Sequence, residues 1–239
     1  MVDFLDIISV SATVASMCMV GSPVITVNNM RRVKSIGVMT ITFFCALFLN
    51  CNVWAMYGAQ TTAAPVIICN TTGSAIAAYC ILSFLTVARL EEKSGHVLQS
   101  TTYRVALLSA MFTCLLVLFI MILMLCLMNF KSLSASSQLN GIIGGVCSVF
   151  MLSSPLGMAK EIIKTKNAES LQPVMVVFAT VNSVLWTLYG ILKQDIYIAL
   201  PNVLCTLACF FQIFLLLRYG RHASVDVRVT ETLAPVPID

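Results

Sequence analysis

The side chains with the most chemical capacity in this sequence are asparagines and tryptophans at helical spacing. Asn50, Trp54 and Tyr57 lie four and three residues apart, which places them on one stripe of a helix. The same trio recurs as Asn182, Trp186 and Tyr189, and a further pair of amides stands at Asn70 and Asn202. An amide offers two donors and a carbonyl acceptor, and an indole face stacks on the C–H surface of a sugar ring. Such groups can clamp a polyhydroxylated ligand, but they do not break bonds. No nucleophile stands beside a base, and His96 and His222 lie in polar segments without companion ligands. The ten cysteines contain no Cys-x-x-Cys pair and read as small apolar residues at helix contacts. No enzyme activity, cofactor or metal is therefore expected.

These residues sit in elements of unusual composition. Of the 239 residues, 59% are apolar and only 10% charged, against roughly 25% charged in soluble domains; the mean hydropathy is +0.95. Seven apolar runs are long enough to cross a hydrocarbon core about 30 Å thick. They span Ile7–Val27, Ile36–Met56, Ala63–Val87, Val105–Met128, Leu139–Ala159, Val174–Leu192 and Ile196–Leu217. Asp3 and Asp6 precede the first run without a basic flank, so it reads as a retained span and not a cleaved leader. Twelve of the 14 Lys and Arg residues fall in alternate loops and the tail, leaving only Lys131 and Lys193 opposite. The amino terminus is thus expected outside and the carboxyl terminus in the cytoplasm. The net charge of +4 is explained by topology, and no nucleic acid partner is expected.

A shift of 132 residues aligns the two ends of the chain without a gap. It pairs Ser16 with Ser148, Met19 with Met151, Ser22-Pro23 with Ser154-Pro155, and Lys34 with Lys166. It also pairs Asn50 with Asn182, Trp54 with Trp186, Tyr57-Gly58 with Tyr189-Gly190, and Asn70 with Asn202. The expected organisation is a first three-helix repeat over 1–88, a loop and linker helix over 89–130, a second repeat over 131–218, and a disordered cytoplasmic tail over 219–239. The fourth span restores direction, so the halves run parallel about an axis along the membrane normal. The fold class is an all-α membrane protein of seven transmembrane helices, arranged three, one and three.

Pro23, Pro155 and Pro173 remove backbone donors within or at the start of spans, where they can act as hinges or as static kinks. No acidic residue lies in the middle of a span, so the buried relay of a proton-coupled carrier is missing and passive facilitation is expected. Asp195, in a short turn, either meets Tyr57 as a gate or is simply solvated. Asn70-Thr71-Thr72 has the form of a glycosylation sequon but lies inside a span.

The sequence resembles the SWEET sugar facilitators in Ser154-Pro155-Leu156, in the block from Asn182 through Trp186 to Tyr189-Gly190, and in Asp195-Ile196-Tyr197 with Pro201-Asn202. The first half matches in register over a resemblance covering residues 5–218. This resemblance implies a uniporter with a sugar substrate. Its pocket would be built by Asn70, Asn202, Trp54, Trp186, Asn50 and Asn182, with Ser16, Met19, Ser148 and Met151 also lining it. It further implies an outer gate of Tyr57 with Asp195, residence in the plasma membrane, and trimers by analogy with plant relatives. The family's four-proline arrangement is incomplete, because the partner of Pro173 is Ile41. Asn and Met at the lining positions favour a hexose such as glucose over a disaccharide. Other classes are a PQ-loop amino-acid exporter, whose Pro-Gln pair is absent, and a seven-helix receptor or scaffold, which the repeat argues against.

Overall fold

The computed structural model describes residues 3–37, 39–94 and 102–220, and, of residues 153–156, the backbone alone. His96, His222 and the expected tail from residue 221 onward lie outside the described residues, while Tyr219, placed in the expected tail, is the last residue of the final helix. Among the described residues eight helices follow in order: α1 Phe4–Val33, α2 Thr42–Gln60, α3 Ala64–Lys93, α4 Tyr103–Phe130, α5 Leu133–Met151, α6 Ser153–Thr165, α7 Pro173–Leu192 and α8 Ile196–Tyr219. Six of them are long and apolar enough to cross a bilayer, namely α1 to α4, α7 and α8. The remaining passage is α5 with α6, interrupted at Leu152.

That interruption differs from the continuous span expected over Leu139–Ala159. A proline cannot donate to the carbonyl four residues earlier, so Pro155 leaves Met151 and Pro23 leaves Met19 without a helical partner. The chain breaks in the second half, one residue after Met151, whereas α1 runs unbroken through Pro23. In α1 the continuation beyond Pro23 is packed by the buried Val27 and Met30. The expected second span also began too early. Ile36 to Ile41 form a connection whose two isoleucines are buried in a core with Phe44, Phe84 and Ala110, so their apolarity serves packing. At the other boundary, α3 continues beyond residue 88 to Lys93.

The repeat is written in the backbone as well as in the side chains. Among the described residues, four non-glycine positions have positive φ, which is uncommon outside glycine. They are Lys34 (58°), Lys166 (58°), Thr62 (54°) and Gln194 (55°), and they form two pairs at the 132-residue shift. Lys34 and Lys166 end α1 and α6 in the left-handed conformation. Gly58 and Gly190 are likewise equivalent. A Cβ would meet Ile67 at 3.0 Å in the first case and the Ala199 backbone at 2.6 Å in the second. These close approaches seat α2 on α3 and α7 on α8.

Packing differs between the two ends of the bundle. At the end carrying Asp195, a single aromatic core joins both halves, with Trp54, Tyr57 and Val66 from one and Trp186, Tyr189 and Ile198 from the other. At the opposite end, which carries Arg31, Arg32, Lys34, Lys164 and Lys166, each half has its own core. One gathers Val27, Ile36, Ile41 and Phe84 against α4, and the other gathers Ile162, Leu171, Val176 and Leu215. Joined cores at one end and separate cores at the other leave space between the halves.

Candidate functional site

That space is a cavity of about 420 Å³. Asn50, Asn70, Asn182, Asn202, Trp54, Trp186, Ser16, Ser148, Met19 and Met151, ten residues singled out by the repeat and the resemblance, all line it. Pro23 lines it too, while Pro173 opens α7 and Pro155 lies in the first turn of α6. The lining runs from Val66 and Ile198 near the Asp195 end to Phe43 and Met175 in the first turns of α2 and α7. Phe43 and Met175 are 48% and 37% exposed, whereas Tyr57 and Tyr189 at the other end are 3% and 2% exposed. The cavity therefore opens toward the basic end and is sealed at the Asp195 end.

The seal has a polar component. The Tyr57 hydroxyl stands 2.8 Å from each carboxylate oxygen of Asp195 and donates to it. The same carboxylate accepts from the backbone N–H groups of Tyr197 (3.0 Å) and Ile198 (3.2 Å), capping α8. Asp195 thus both starts a helix and receives the tyrosine. The arrangement is one-sided, because the counterpart of Asp195 before α3 is Ala63.

Within the cavity the two halves exchange equivalent hydrogen bonds. Trp186 Nε1 donates to Ser16 Oγ at 2.8 Å, and Ser16 donates to Asn182 Oδ1 at 2.8 Å. Trp54 Nε1 donates to Ser148 Oγ at 3.0 Å, and Ser148 donates to Asn50 Oδ1 at 3.1 Å. Each serine therefore serves a tryptophan and an asparagine of the opposite half. Asn70 and Asn202 turn the other way, giving an Nδ2 hydrogen to the carbonyls of Val66 (2.9 Å) and Ile198 (2.8 Å) on their own helices. Each tryptophan also stands edge-on to the tyrosine one turn along, at 5.4 Å for Trp54 with Tyr57 and 5.3 Å for Trp186 with Tyr189.

Among the described residues, the lining contains no carboxylate, amine, guanidinium or imidazole. Its polar groups are amides, hydroxyls, indole N–H groups and the thiols of Cys51 and Cys69. This set can exchange hydrogen bonds with a neutral solute, but it supplies no counter-charge for a zwitterion. Among the described residues, no group of three or more His, Cys, Asp or Glu side chains is arranged to hold a metal ion.

Two polar features were not anticipated from the sequence. Gln60, Ser136 and Asn140 form a buried chain linking α2, α5 and α4. Asn140 donates to Gln60 Oε1 (3.0 Å), Gln60 donates to Ser136 Oγ (2.8 Å), and Ser136 donates to the Met124 carbonyl (2.9 Å). Their counterparts at the 132-residue shift are Leu192, Phe4 and Ile8, so a search for repeated polar residues passes over them. The second feature is Glu91, 5% exposed, which accepts from the Ser35 hydroxyl (2.9 Å) and the Ile36 N–H (3.0 Å) and so holds the α1–α2 connection.

Comparison with known proteins agrees with this architecture. The family model described as "Sugar efflux transporter for intercellular exchange" matches residues 6–93 and 138–223, which is well over half of the chain and falls in both repeats. The sugar transporter SWEET1 of Dictyostelium discoideum is 26% identical over 218 residues, covering 91% of this chain and 94% of the relative. The bidirectional sugar transporter SWEET7 of Arabidopsis thaliana is 26% identical over 229 residues, covering 93% and 82%. A solved structure of a eukaryotic SWEET transporter superposes with a TM-score of 0.75 at 19% identity, covering 90% of this chain and 96% of that one, which is a likeness of fold. The chain is an integral, multi-pass membrane protein, and it belongs to the SWEET family, a family of sugar transporters and not of enzymes.

Proposed function

We propose that this protein carries a monosaccharide such as glucose across the plasma membrane, in either direction and down its gradient, by alternating access. The observation that carries this reading is the belt of four asparagine amides and two tryptophans, contributed by both halves to one uncharged cavity. Amides match the hydroxyls of a sugar and indoles its C–H face. The cavity's 420 Å³ lies near the lower end of the range of roughly 300–1,000 Å³ typical of small-molecule sites, which favours one ring over two. The absence of an ionisable relay from the lining favours uniport over proton coupling.

In this reading the cavity faces the cytoplasm. The positive-inside rule supports that orientation, because the basic residues flank the open end. Tyr57 with Asp195 is the outer gate, and Pro23, Pro155 and Pro173 are the hinges that let the halves rock. The asparagines and tryptophans contact the sugar, Met19 and Met151 bound the space it occupies, and Ser16 and Ser148 complete the polar belt.

The test is uptake of labelled glucose, sucrose and a panel of amino acids into proteoliposomes, with and without a pH gradient. Glucose flux indifferent to the pH gradient and abolished by Asn202→Ala is the expected result. Flux of an amino acid without any sugar would overturn the proposal.

A further inference from the structure

We propose that Ser16 and Ser148 are positioning residues that fix the direction of the Asn182 and Asn50 amides from across the boundary between the halves. The cavity then presents two amide donors and two amide acceptors in a set pattern. This deepens the reading above and rests on the cavity being a sugar site.

The two indole N–H groups can only donate. Trp186 Nε1 donates to Ser16 Oγ and Trp54 Nε1 to Ser148 Oγ, so each serine oxygen is an acceptor with its own proton left to give. That proton goes to Asn182 Oδ1 in one case and to Asn50 Oδ1 in the other. With one acceptor site of Oδ1 engaged, the wholly free end of each of these asparagines is Nδ2, with both hydrogens to give. Asn70 and Asn202 are set oppositely. Each spends one Nδ2 hydrogen on the Val66 or Ile198 carbonyl, Asn70 gives its second to Cys69 Sγ (3.4 Å), and the wholly free end of each is Oδ1. Among the described residues, the one buried side-chain polar atom without a hydrogen-bond partner is Asn140 Oδ1, outside the cavity. The free amide atoms of the four cavity asparagines are therefore open to a ligand.

A sugar hydroxyl facing the Nδ2 group of Asn50 or Asn182 acts as an acceptor, and one facing the Oδ1 atom of Asn70 or Asn202 acts as a donor. Fluorine in place of a hydroxyl accepts weakly and never donates, while a deoxy position does neither. The pattern of directions is therefore readable by substitution of the sugar. Each serine controls an asparagine that belongs to the other half, so direction at each site depends on both halves being docked. A serine that merely filled space would change rates without changing this pattern.

The experiment measures transport of monodeoxy and monofluoro hexoses by the full chain in liposomes. The unsubstituted protein is expected to carry at least one fluoro sugar about five- to tenfold better than its deoxy counterpart, the worth of about one hydrogen bond. At least one other position should reject both. In Ser16→Ala with Ser148→Ala the fluoro advantage disappears, and the Thr variants, which keep the hydroxyl, retain it. No fluoro advantage in the unsubstituted protein, or an advantage that survives in the Ala variant, overturns the proposal. A second readout needs neither transport nor sugar: the indole N–H resonances of the chain's two tryptophans. Ser16→Ala should move the Trp186 signal and Ser148→Ala the Trp54 signal. If each serine variant moves the tryptophan of its own half instead, the cross-half tie is refuted. Absence of all sugar transport would remove the functional reading, and the indole shifts would still decide the serine ties.

Discussion

Gly144 lies so close to Trp54 that a methyl group on its Cα would stand 2.9 Å from the indole Cε2 atom. This contact seats the tryptophan against α5, one turn from Ser148, to which its Nε1 donates. The neighbouring Gly145 faces open space, with nothing within 4 Å of a built Cβ.

The two glycines therefore predict opposite outcomes for one substitution. Gly144→Ala must displace a rigid ring, at about 1–3 kcal/mol for overpacking, and should lengthen the 3.0 Å bond from Trp54 to Ser148. Sugar uptake should fall several-fold and the thermal midpoint should drop. Gly145→Ala meets nothing and gains helix propensity of about 0.5–1 kcal/mol, so it should leave uptake unchanged and raise the midpoint slightly. Equal effects of the two substitutions would show that the Trp54 seat does not matter.

The Tyr57–Asp195 bond predicts an asymmetry between two equivalent tyrosines. Tyr57→Phe removes a hydrogen bond to a carboxylate, worth about 1.5–3 kcal/mol, and so should shift the population away from the state closed at the Asp195 end. Tyr189→Phe has no such carboxylate to lose, because the residue equivalent to Asp195 is Ala63. Distance distributions between labels on Ala64 and Lys193 should broaden to longer values for Tyr57→Phe and remain unchanged for Tyr189→Phe. Asp195→Asn should fall between them, since asparagine still caps α8 but carries no charge.

The pocket-lining parts of the site legible in the sequence were those that the molecule states twice, whereas Asp195, whose counterpart is Ala63, was marked by the family resemblance. Asn50 alone reads as an interhelical hydrogen bond, but Asn50 with Asn182, beside two tryptophans in the same register, marks a shared cavity. The features missed were stated once or served a different purpose from the one hydropathy implied. Asn140 has Ile8 as its counterpart, so no repetition drew attention to it. Ile36 and Ile41 are as apolar as any membrane-facing residue, yet they are 1% exposed in a connection between helices. Hydropathy records that a residue avoids water, and it does not say whether lipid or protein covers it. Glu91 occupies a helix end where a solvated charge is the ordinary reading, and only the folded chain brings Ser35 and Ile36 to it.

The buried chain from Asn140 to Met124 predicts a strongly non-additive pair. Asn140→Ile alone removes the donor to Gln60 Oε1 and leaves that oxygen buried, at about 1–3 kcal/mol. Gln60→Leu alone leaves the Asn140 amide with its weaker bond to the Val53 carbonyl at 3.3 Å and an Oδ1 that already lacks a partner. The double variant installs the apolar residues found at the two symmetry-equivalent positions, Ile8 for Asn140 and Leu192 for Gln60, and removes both orphans. Unfolding midpoints in detergent should show it more stable than the sum of the single losses by about 1 kcal/mol or more. Simple additivity would mean that the three side chains do not act as one chain.

Ile41 carries the last prediction. Its φ of −67° already matches the value that proline imposes, and it stands where the second half has Pro173. The backbone therefore accepts Ile41→Pro, and the cost is the loss of part of a buried side chain, about 1–2 kcal/mol. The α1–α2 connection is fixed by Ile36 and Ile41 in the core and by the Glu91 carboxylate, and the equivalent connection by the buried Ala168 and Leu171 and a backbone bond from the Ala168 amide to Gly220 (2.9 Å). Weakening the α1–α2 connection should speed the movement of the halves at the basic end, because under the proposed alternating access that end closes when the Asp195 end opens. Ile41→Pro should thus lower the unfolding midpoint and raise the glucose exchange rate. A lower midpoint with unchanged or slower exchange would show that this connection moves as a rigid part of its half and that the missing proline has no bearing on the rate.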